Sequence, residues 1–491
     1  MTSAFLTFGD AWRNLGPEII LTVFAFVIMI VEFIVTGTKK QIAPWLSVIG
    51  IIVAMIVTAA RLSGVPGLSL PVNAVDDFGT IFKLLLLLSS GLVILLAIGS
   101  RKQESLPYEY SYLVLFATVG AMIMASATDL ITMYVGLELL SITTYILVAL
   151  YKKSIRSSEG GLKYLIIGSI ASATFLYGLS FLYGMTGSTQ LGTIIANVQS
   201  GWSSYPGMMF LSLALIIVGL GVKLSVAPFH LWTADVYEGA PTPVSAYLAV
   251  VSKAAAFALL LRLLIAAYGQ GMGQWYGIVA WLAVITMVIG NVGALTQKNV
   301  KRLLAYSSIA QAGYLLVPFA AIGQTATTAN ISQGLSAIVF YLFAYALMTI
   351  GAFAIFAVVA GARASEGIDA FNGLYRRSPW LASAMAIFLL SLAGMPLTAG
   401  FFGKFLIFLV AFNTSQYWLG VLLFATSVIA FYYYFAILRA MFMREPVGDR
   451  DPVKGTGVMH VVVTLCVVGT LVLGVFPSSL MGLLNGLHWF G

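Results

Sequence analysis

The sequence has 491 residues, of which 60% are hydrophobic and only 9% are charged, and its mean hydropathy is +1.00. Soluble domains carry about 25% charged residues, so this composition excludes an ordinary soluble domain and is typical of a membrane-embedded helical bundle. The net charge of +8 comes from basic residues between apolar runs, which indicates membrane topology rather than nucleic-acid binding.

The residues that usually hold electron carriers are scarce. The chain has one cysteine, Cys466, and three histidines, and a single cysteine cannot ligate an iron–sulfur cluster. No G-x-G-x-x-G unit is present either. We therefore expect no redox centre and no metal in this chain. The start MTSAFLTFGDAWRNLG lacks the form of a cleavable signal peptide, so the first apolar run is expected to stay as a spanning helix.

Continuous apolar runs predict an all-α polytopic membrane protein with about fourteen transmembrane helices. In chain order, the predicted spans cover residues 17–36, 42–61, 79–99, 109–127, 129–150, 161–186, 207–238, 243–268, 275–296, 300–322, 329–361, 379–412, 416–443 and 457–476.

Basic residues concentrate in every second connection. They follow spans 1, 3 and 5 and recur after spans 9, 11 and 13: Lys39, Lys40, Arg101, Lys102, Lys152, Lys153, Arg156, Lys298, Lys301, Arg302, Arg363, Arg376, Arg377, Arg439, Arg444, Arg450 and Lys454. By the positive-inside rule these connections are cytoplasmic, and both termini face outward. Arg61 is the main exception on the opposite side, and the link after span 7 instead carries Asp235 and Glu238.

Two spans are too long for one crossing. Residues 207–238 would make a helix of about 48 Å, against a hydrocarbon core of about 30 Å. Pro228 lies in the middle of this span, and Pro396 with three nearby glycines lies in the middle of 379–412. Both spans are therefore predicted to be broken helices. Non-helical backbone at membrane depth is tolerated only where it is buried in protein or lines a hydrated cavity.

The two breaks are five spans apart, in spans 7 and 12. An odd offset makes the two broken helices run in opposite directions, so spans 4–8 and 9–13 are predicted to be inverted five-helix repeats. This divides the chain into an N-terminal three-helix segment (1–108), a first repeat (109–268), a second repeat (269–445) and a C-terminal helix (446–491).

Five ionisable residues fall inside apolar runs: Glu138, Lys163, Lys223, Lys253 and Lys404. Each costs roughly 2.5–3.5 kcal/mol at a helix centre, so such residues usually face the bundle interior and have a role. Burial lowers the pKa of a lysine and a nearby carboxylate raises it, so a lysine whose carboxylate moves can load and release a proton. His230, just after the first break, is a candidate relay.

Structural alternatives exist for each of these residues. Glu138 and Lys163 would also suit a fixed ion pair, and Lys163 is close enough to its span end to extend towards the cytoplasmic edge. Lys253 would also neutralise a helix end, and His230 would also serve packing.

Other polar residues in the spans are assigned by their position. The stretch from Tyr306 to Gln311 is predicted to hold water between the two repeats, although small polar residues also serve helix packing. Lys83, Glu32 and Arg262 lie closer to span ends and are assigned to topology or packing.

Four stretches resemble a known family: GLELLSITTYILVALYKKSIRSSEGGLKYLIIGSIASATFLYG, VKLSVAPFHLWTADVYEGAPTPVSAYLAVVSKAAAF, IGNVGALTQKNVKRLLAYSSIAQAGYLL and AGMPLTAGFFGKFLIF. They are similar to subunit N of bacterial proton-pumping NADH–quinone oxidoreductase, respiratory complex I, over about residues 109–445. The related subunit M usually has a glutamate where this chain has Lys404, which favours subunit N.

The resemblance implies an antiporter-like subunit of the membrane arm of a proton-translocating enzyme in the bacterial cell membrane. It implies that Glu138 pairs with Lys163 and Lys223, and that Lys253, Lys404 and His230 take part in proton transfer. FMN, iron–sulfur clusters and quinone are expected in partner subunits, and subunit M and small membrane subunits are the expected neighbours.

Two other functions remain open from the residues alone. One is a subunit of a stand-alone cation/proton antiporter, and the other is a membrane scaffold with fixed ion pairs. The sequences of the motifs favour a subunit of a larger redox-driven enzyme over the stand-alone antiporter. Five buried ionisable residues near two helix breaks argue against the scaffold.

Overall fold

The chain folds into a bundle of helices, described here from a computed structural model for residues 8–35, 41–62, 72–101, 106–268, 272–324, 327–446 and 452–489. Lys39, Lys40, Lys102 and Arg450, which the topology prediction uses, lie outside these residues. Within the described ranges the only strand-like pairings are isolated bridges between connections. The predicted all-α class is confirmed.

The helices begin and end close to the predicted spans. They are α1 Phe8–Ile34, α2 Ile42–Ala59, α3 Asp77–Ser100, α4 Tyr110–Ser126, α5 Leu130–Val148, α6 Ile155–Thr186, α7 Leu191–Ser204, α8 Pro206–Leu224, α9 Thr233–Gly239, α10 Thr242–Tyr247, α11 Lys253–Tyr268, α12 Met272–Leu295, α13 Val300–Gln324, α14 Thr328–Arg363, α15 Leu374–Arg377, α16 Pro379–Ala393, α17 Ala399–Asn413, α18 Tyr417–Met443, α19 Gly457–Val475 and α20 Ser478–Asn485.

Among the described residues, 12 helical segments are long and apolar enough to cross a membrane. The two remaining predicted spans correspond to α4, which has 17 residues, and to the shorter apolar pair α16 and α17. The sequence did not predict α7, whose buried residues Leu191, Ile194 and Val198 recur at helical spacing. This spacing makes α7 a short amphipathic helix between α6 and α8 rather than a further span.

Both predicted helix breaks are present. The first lies between α8 and α9, where Ser225 takes a positive φ of 59° and the Ala227–Pro228 peptide is cis. The second lies between α16 and α17, where Gly394 has a φ of 96°. A left-handed residue at a helix end stops the regular hydrogen-bond ladder, so each break leaves carbonyl groups that a side chain can reach.

A third irregularity was not predicted from the sequence. A π-helical segment, Leu248–Ser252, joins α10 to α11 and ends directly before Lys253. Segments of this kind rotate the residues that follow them and are frequent at functional sites.

The most buried helices lie at the centre of the bundle. In an 18-residue apolar stretch of each of Thr242–Ile265, Val300–Gly323 and Thr328–Arg363, 94% of the residues are buried, whereas in Trp12–Ile34 the share is 28%. In the absence of a hydrophobic force between helices in lipid, such a core is held by close packing and interhelical hydrogen bonds. The central helices therefore carry the interior polar groups, and α1 lies at the periphery.

The connections meet on two opposite faces of the bundle. On one face a bridge joins Asn299 to Gly367, and Arg444 contacts Asp369. On the other face a bridge joins Asp129 to Gln190, and the start of α3 is bound to α11 by an ion pair between Asp76 and Arg262. The first of these faces gathers predicted basic connections.

Glycine allows α4 and α5 to cross closely. A Cβ at Gly120 would lie 2.6 Å from the Leu140 amide nitrogen and 2.8 Å from the Gly136 carbonyl oxygen. Small residues that let two backbones approach are typical of membrane helix contacts. Since α5 carries Glu138, this crossing fixes the position of a candidate site residue.

We predict that Gly120→Ala lowers the free energy of unfolding by about 1–3 kcal/mol, because the added methyl group would overlap backbone atoms of α5. Gly184→Ala is the control, since a Cβ there meets no atom within 4 Å and alanine favours a helix over glycine by about 1 kcal/mol. Unfolding of the two purified variants in detergent measures the difference. Equal stability of the two variants would contradict the proposed contact.

Candidate functional site

Lys223 occupies the last turn of α8, directly before the first break, and is 6% exposed. Its Nζ donates a hydrogen bond of 3.0 Å to the Tyr145 hydroxyl and lies over the rings of Tyr145 and Tyr164, 5.0 and 5.5 Å from their centroids. Cation–π contacts and a phenol are neutral partners for an ammonium. Lys223 is thus stabilised without a direct carboxylate contact.

Glu138 lies in the middle of α5 and is half-buried. Its Oε1 is buried and has no hydrogen-bond partner among the described residues. It is close enough to interact electrostatically with Lys223, but it forms an ion pair with neither Lys223 nor Lys163 in the part of the chain that the structure describes. The direct pairing that the resemblance implies is therefore absent from this conformation.

Lys163 is not buried, and the expectation that it lies in the apolar interior is wrong. Its side chain is 41% exposed and pairs with Glu159 at 2.7 Å and Asp235 at 2.8 Å. Lys163 follows the start of α6 by two turns, so its long side chain reaches the polar face. The alternative that Lys163 extends to the edge of its span describes what the structure shows.

The partner of Lys163 belongs to a charged network that joins the two predicted repeats. Arg302 in α13 donates to Asp235 and to Glu238, each at 2.8 Å. Lys301 pairs with Glu366 at 2.9 Å and donates to the Ala240 carbonyl. We call the whole set the interrepeat network: Arg156, Glu159, Lys163, Asp235, Glu238, Asn299, Lys301, Arg302 and Glu366.

One sequence signal pointed to this network. The link after span 7 carries two acids on a face where the other connections are basic. Opposite charges at the ends of different spans attract each other, but the sequence did not say which cations would meet Asp235 and Glu238.

Lys253 begins α11, immediately after the π-helical segment, and is 1% exposed. Its Nζ donates to the carbonyl and to the hydroxyl oxygen of Ser308 in α13, both at 2.5 Å. Ser308 also contacts the Tyr237 hydroxyl at 3.4 Å. The structure thus brings Lys253 to the polar stretch that the sequence placed between the repeats.

Lys404 lies on α17, one turn after the second break, and is 2% exposed. Its Nζ donates to the carbonyl oxygens of Leu392 at 3.0 Å and Ala393 at 3.1 Å, which end α16. It also lies 4.6 Å from the centroid of the Tyr314 ring. A cation at a helix C-terminus is favoured by the helix dipole, so the break itself provides the acceptors for Lys404.

Further buried hydrogen bonds join α13 to α12 and α18. Ser307 bonds to the Tyr434 hydroxyl. Asn291 accepts from the Tyr433 hydroxyl at 3.1 Å and donates to the Tyr314 hydroxyl at 3.0 Å. Tyr314 in turn lies against Lys404. A buried amide and several phenols, with the Tyr433 and Tyr434 rings 4.5 Å apart, thus lie between Ser307 and Lys404, and the sequence prediction missed them.

Gln311 binds the second break from the side of α13. Its Nε2 donates to the Leu392 carbonyl at 3.3 Å, and its Oε1 accepts from the Tyr341 hydroxyl. Tyr306, at the other end of the predicted polar stretch, is half-buried and packs against Gly293. Ser307, Ser308 and Gln311 are thus buried and hydrogen-bonded, whereas Tyr306 is half-buried, and the water-holding role of this stretch stays a prediction.

The remaining ionisable residues have separate places. His230 lies in the first break with its Nδ1 buried and without a partner among the described residues. Arg262 makes two hydrogen bonds of 2.8 Å to Asp76 and one to the Ala125 carbonyl, which agrees with a packing role. Lys83 lies within two turns of the start of α3, is 3% exposed and pairs with Glu18 at 2.6 Å, which agrees with the expected position near a span end and with a packing role.

Within the described residues no group of three or more histidine, cysteine, aspartate or glutamate side chains is arranged to hold a metal ion. Cys466 is buried and free. The donors and acceptors of the site are ammonium, hydroxyl, amide and carbonyl groups, which are suited to exchanging protons through hydrogen bonds.

Residues 127–430 match the family described as NADH:quinone oxidoreductase/Mrp antiporter, TM. A relative from Paenibacillus sp. strain JDR-2, NADH-quinone oxidoreductase subunit N, is 42% identical over 95% of this chain and 94% of its own length. A chain of respiratory complex I from Thermus thermophilus, solved with bound aureothin, is 34% identical with a TM-score of 0.80, covering 96% of this chain and 100% of that chain.

A chain of the Mrp complex from Dietzia sp. DQ12-45-1b has a TM-score of 0.82 and 20% identity, over 96% of each chain. At this level of identity the likeness concerns the fold alone.

We predict that Arg302→Met lowers the free energy of unfolding by about 1–2 kcal/mol, because it leaves Asp235 and Glu238 side by side without their shared cation. The control is Arg376→Met, whose partner Glu445 is 82% exposed, and which should change stability by less than about 0.5 kcal/mol. Thermal unfolding of both variants at low and high salt measures the effect. Indistinguishable variants would show that the interrepeat network does not stabilise the fold.

Proposed function

The chain belongs to the NADH:quinone oxidoreductase/Mrp antiporter transmembrane family, and on that premise we propose that it translocates protons as an antiporter-like subunit of the membrane arm of NADH-quinone oxidoreductase. Quinone reduction elsewhere in that complex would drive proton transfer through this chain. The chain's own contribution is a path of buried proton-exchanging side chains, without a redox centre.

One observation carries this proposal: Lys223, Lys253 and Lys404 are all buried, and each binds only neutral oxygen acceptors among the described residues. A charged side chain at membrane depth is costly, and such residues mark proton or substrate pathways. An ammonium held by neutral groups can lose its proton without leaving a buried carboxylate unpaired. These lysines are therefore fit to be intermediate proton carriers.

The first repeat supplies a carboxylate, Glu138, that can change the electric field at Lys223. Glu138 is near Lys223 without touching it, and Lys163 is held by Asp235 and Glu159 instead. Release of Lys163 from Asp235 would let it approach Glu138 and alter the field at Lys223. Moving one charge through 100 mV requires about 2.3 kcal/mol, and a shift of about two pKa units corresponds to about 2.7 kcal/mol. The displacement of one ion pair therefore supplies enough free energy to move one proton against such a potential.

The second repeat would receive the proton from the first. Lys253 passes it across Ser308 and the buried phenols near Asn291 to Lys404, and His230 in the first break is a relay to Lys223. We keep the earlier division into repeats 109–268 and 269–445 as part of this proposal, with residues 1–108 and 446–491 flanking them. Two features support that division: each repeat contains one helix break, and the interrepeat network joins the two repeats.

A stand-alone cation/proton antiporter is the other candidate. The shared fold of the Mrp chain favours it, but that chain is 20% identical, whereas the Paenibacillus subunit N relative is 42% identical. The greater identity supports the redox-driven complex.

The chain partners other subunits of complex I, and we propose the antiporter-like subunit M and small membrane subunits as its neighbours. FMN, iron–sulfur clusters and quinone would be bound by other subunits. The multi-pass chain would lie in the bacterial cell membrane.

We predict that Glu138→Gln lowers the number of protons pumped per NADH oxidised, because a neutral amide no longer changes the field at Lys223 and the path through this chain stops. The measurement is proton uptake by inverted membrane vesicles, normalised to NADH oxidation and to the amount of assembled complex. Glu445→Gln, at an exposed position, is the control. A wild-type proton yield in an assembled Glu138→Gln complex would refute the proposal.

Both termini are proposed to be extracytoplasmic, because the basic connections gather on one face of the bundle. A reporter enzyme that is active only outside the cytoplasm should work when fused to the C-terminus. Activity of a cytoplasm-specific reporter at the same position would contradict this orientation.

A further inference from the structure

A lysine–carboxylate pair with both side chains buried lies outside the proposed path. Glu18 in α1 and Lys83 in α3 form an ion pair of 2.6 Å, and each side chain is 4% exposed. Lys83 lies almost two turns inside α3, which begins at Asp77. The pair is therefore a titratable group within the span region of the N-terminal three-helix segment.

Stability alone does not account well for such a pair. Removing two charges from water costs more than their attraction returns unless the geometry is excellent, and apolar residues of similar volume often replace a buried pair without loss. The same helix already has a better structural clamp, since Asp76 holds Arg262 through two hydrogen bonds of 2.8 Å. Arginine does not release its proton, whereas lysine does.

Polar groups lead from Glu18 towards one face of the bundle. Arg61 interacts electrostatically with Glu18 and donates hydrogen bonds of 3.2 Å to the carbonyl oxygens of Asn14 and Trp12. Asn73 donates to the same Asn14 carbonyl. This is the face opposite to the predicted basic connections. A proton released by Glu18 would leave the membrane there.

Polar groups also lead from α3 towards the centre of the bundle. Ser89 has a buried hydroxyl with no partner among the described residues. Ser90 bonds to Thr118 at 2.9 Å, and Thr118 bonds to the Tyr247 hydroxyl at 3.2 Å. Tyr247 ends α10, and the π-helical segment then leads to Lys253.

We propose that the Glu18–Lys83 pair is a proton-exchange site that connects the central path to the face carrying Arg61. In one cycle the Lys83 ammonium gives its proton to the Glu18 carboxylate, and the carboxylic acid releases that proton to water beside Arg61. The Lys83 amine then takes one proton from water near Ser89 and Ser90, and the ion pair is restored. One proton has moved outward, and no other reactant is consumed.

This inference rests on the proposed function, because it requires protons at the centre of the bundle. The deciding variant is Lys83→Arg in the assembled complex. Arginine keeps the positive charge beside Glu18 but holds its proton, so a purely structural pair would survive the substitution and a proton-exchange site would not.

Two further variants separate the structural and the proton-exchange roles if the larger side chain disturbs packing. Glu18→Met/Lys83→Met replaces both charges by apolar side chains of similar volume. Asp76→Asn/Arg262→Met removes the charges of the ion pair that binds the N-terminal end of α3 to α11 and serves as the matched control.

The measurement is the proton yield per NADH in inverted vesicles, normalised to assembled complex, with Glu138→Gln in parallel. The inference expects Lys83→Arg and Glu18→Met/Lys83→Met to lose as much yield as Glu138→Gln, while the control double variant keeps the wild-type yield. A yield above that of Glu138→Gln in either Lys83 variant, or an equal loss in the control, would overturn it. If Glu138→Gln itself pumps normally, the proposed function fails instead.

Discussion

A lysine ammonium in the membrane interior needs oxygen acceptors that a regular helix does not offer, and the centre of this chain is arranged around that need. In an intact helix the carbonyl groups are already bonded within the ladder. The second break frees the carbonyls of Leu392 and Ala393, and Lys404 binds both. Lys253 instead binds Ser308 across the interface between α11 and α13, and Lys223 binds the Tyr145 hydroxyl.

The placement of opposite charges follows from the same need. Carboxylates pair with cations in the interrepeat network and in the N-terminal helices, away from the three central lysines. A direct carboxylate partner favours the charged form of a lysine, so such a lysine releases its proton chiefly to that carboxylate, whereas the three central lysines have hydroxyl and carbonyl oxygens beside them. Glu138 interacts electrostatically with Lys223 but is not bonded to it, so a movement of Glu138 would change the field that the ammonium experiences.

The sequence predicted the features that depend on composition and spacing. Apolar run lengths predicted the fourteen segments, and Pro228 and Pro396 predicted the two breaks with a lysine beside each. It did not predict Tyr433, Tyr434 or Asn291, because tyrosine and asparagine in an apolar run look like ordinary packing residues until helices from distant parts of the chain meet.

Errors in the sequence prediction have similar causes. Lys163 was assigned to the interior because it stands in an apolar run, but a lysine stem is long enough to bring its charge to Asp235 at the polar face. The partner of Lys83 was not predicted, because Glu18 lies 65 residues earlier on another helix and a linear pattern does not show which helices meet.

In the proposed function, Lys223 and Lys404 act in series on one proton path. Proton yields of Lys223→Ala, Lys404→Ala and the double variant, measured in equally assembled complexes, test it most directly, because residues in one coupled network have non-additive effects. The double variant is expected to pump no less than the single variant with the lower proton yield. A double variant whose loss equals the sum of the two single losses would show two independent routes and contradict a serial path.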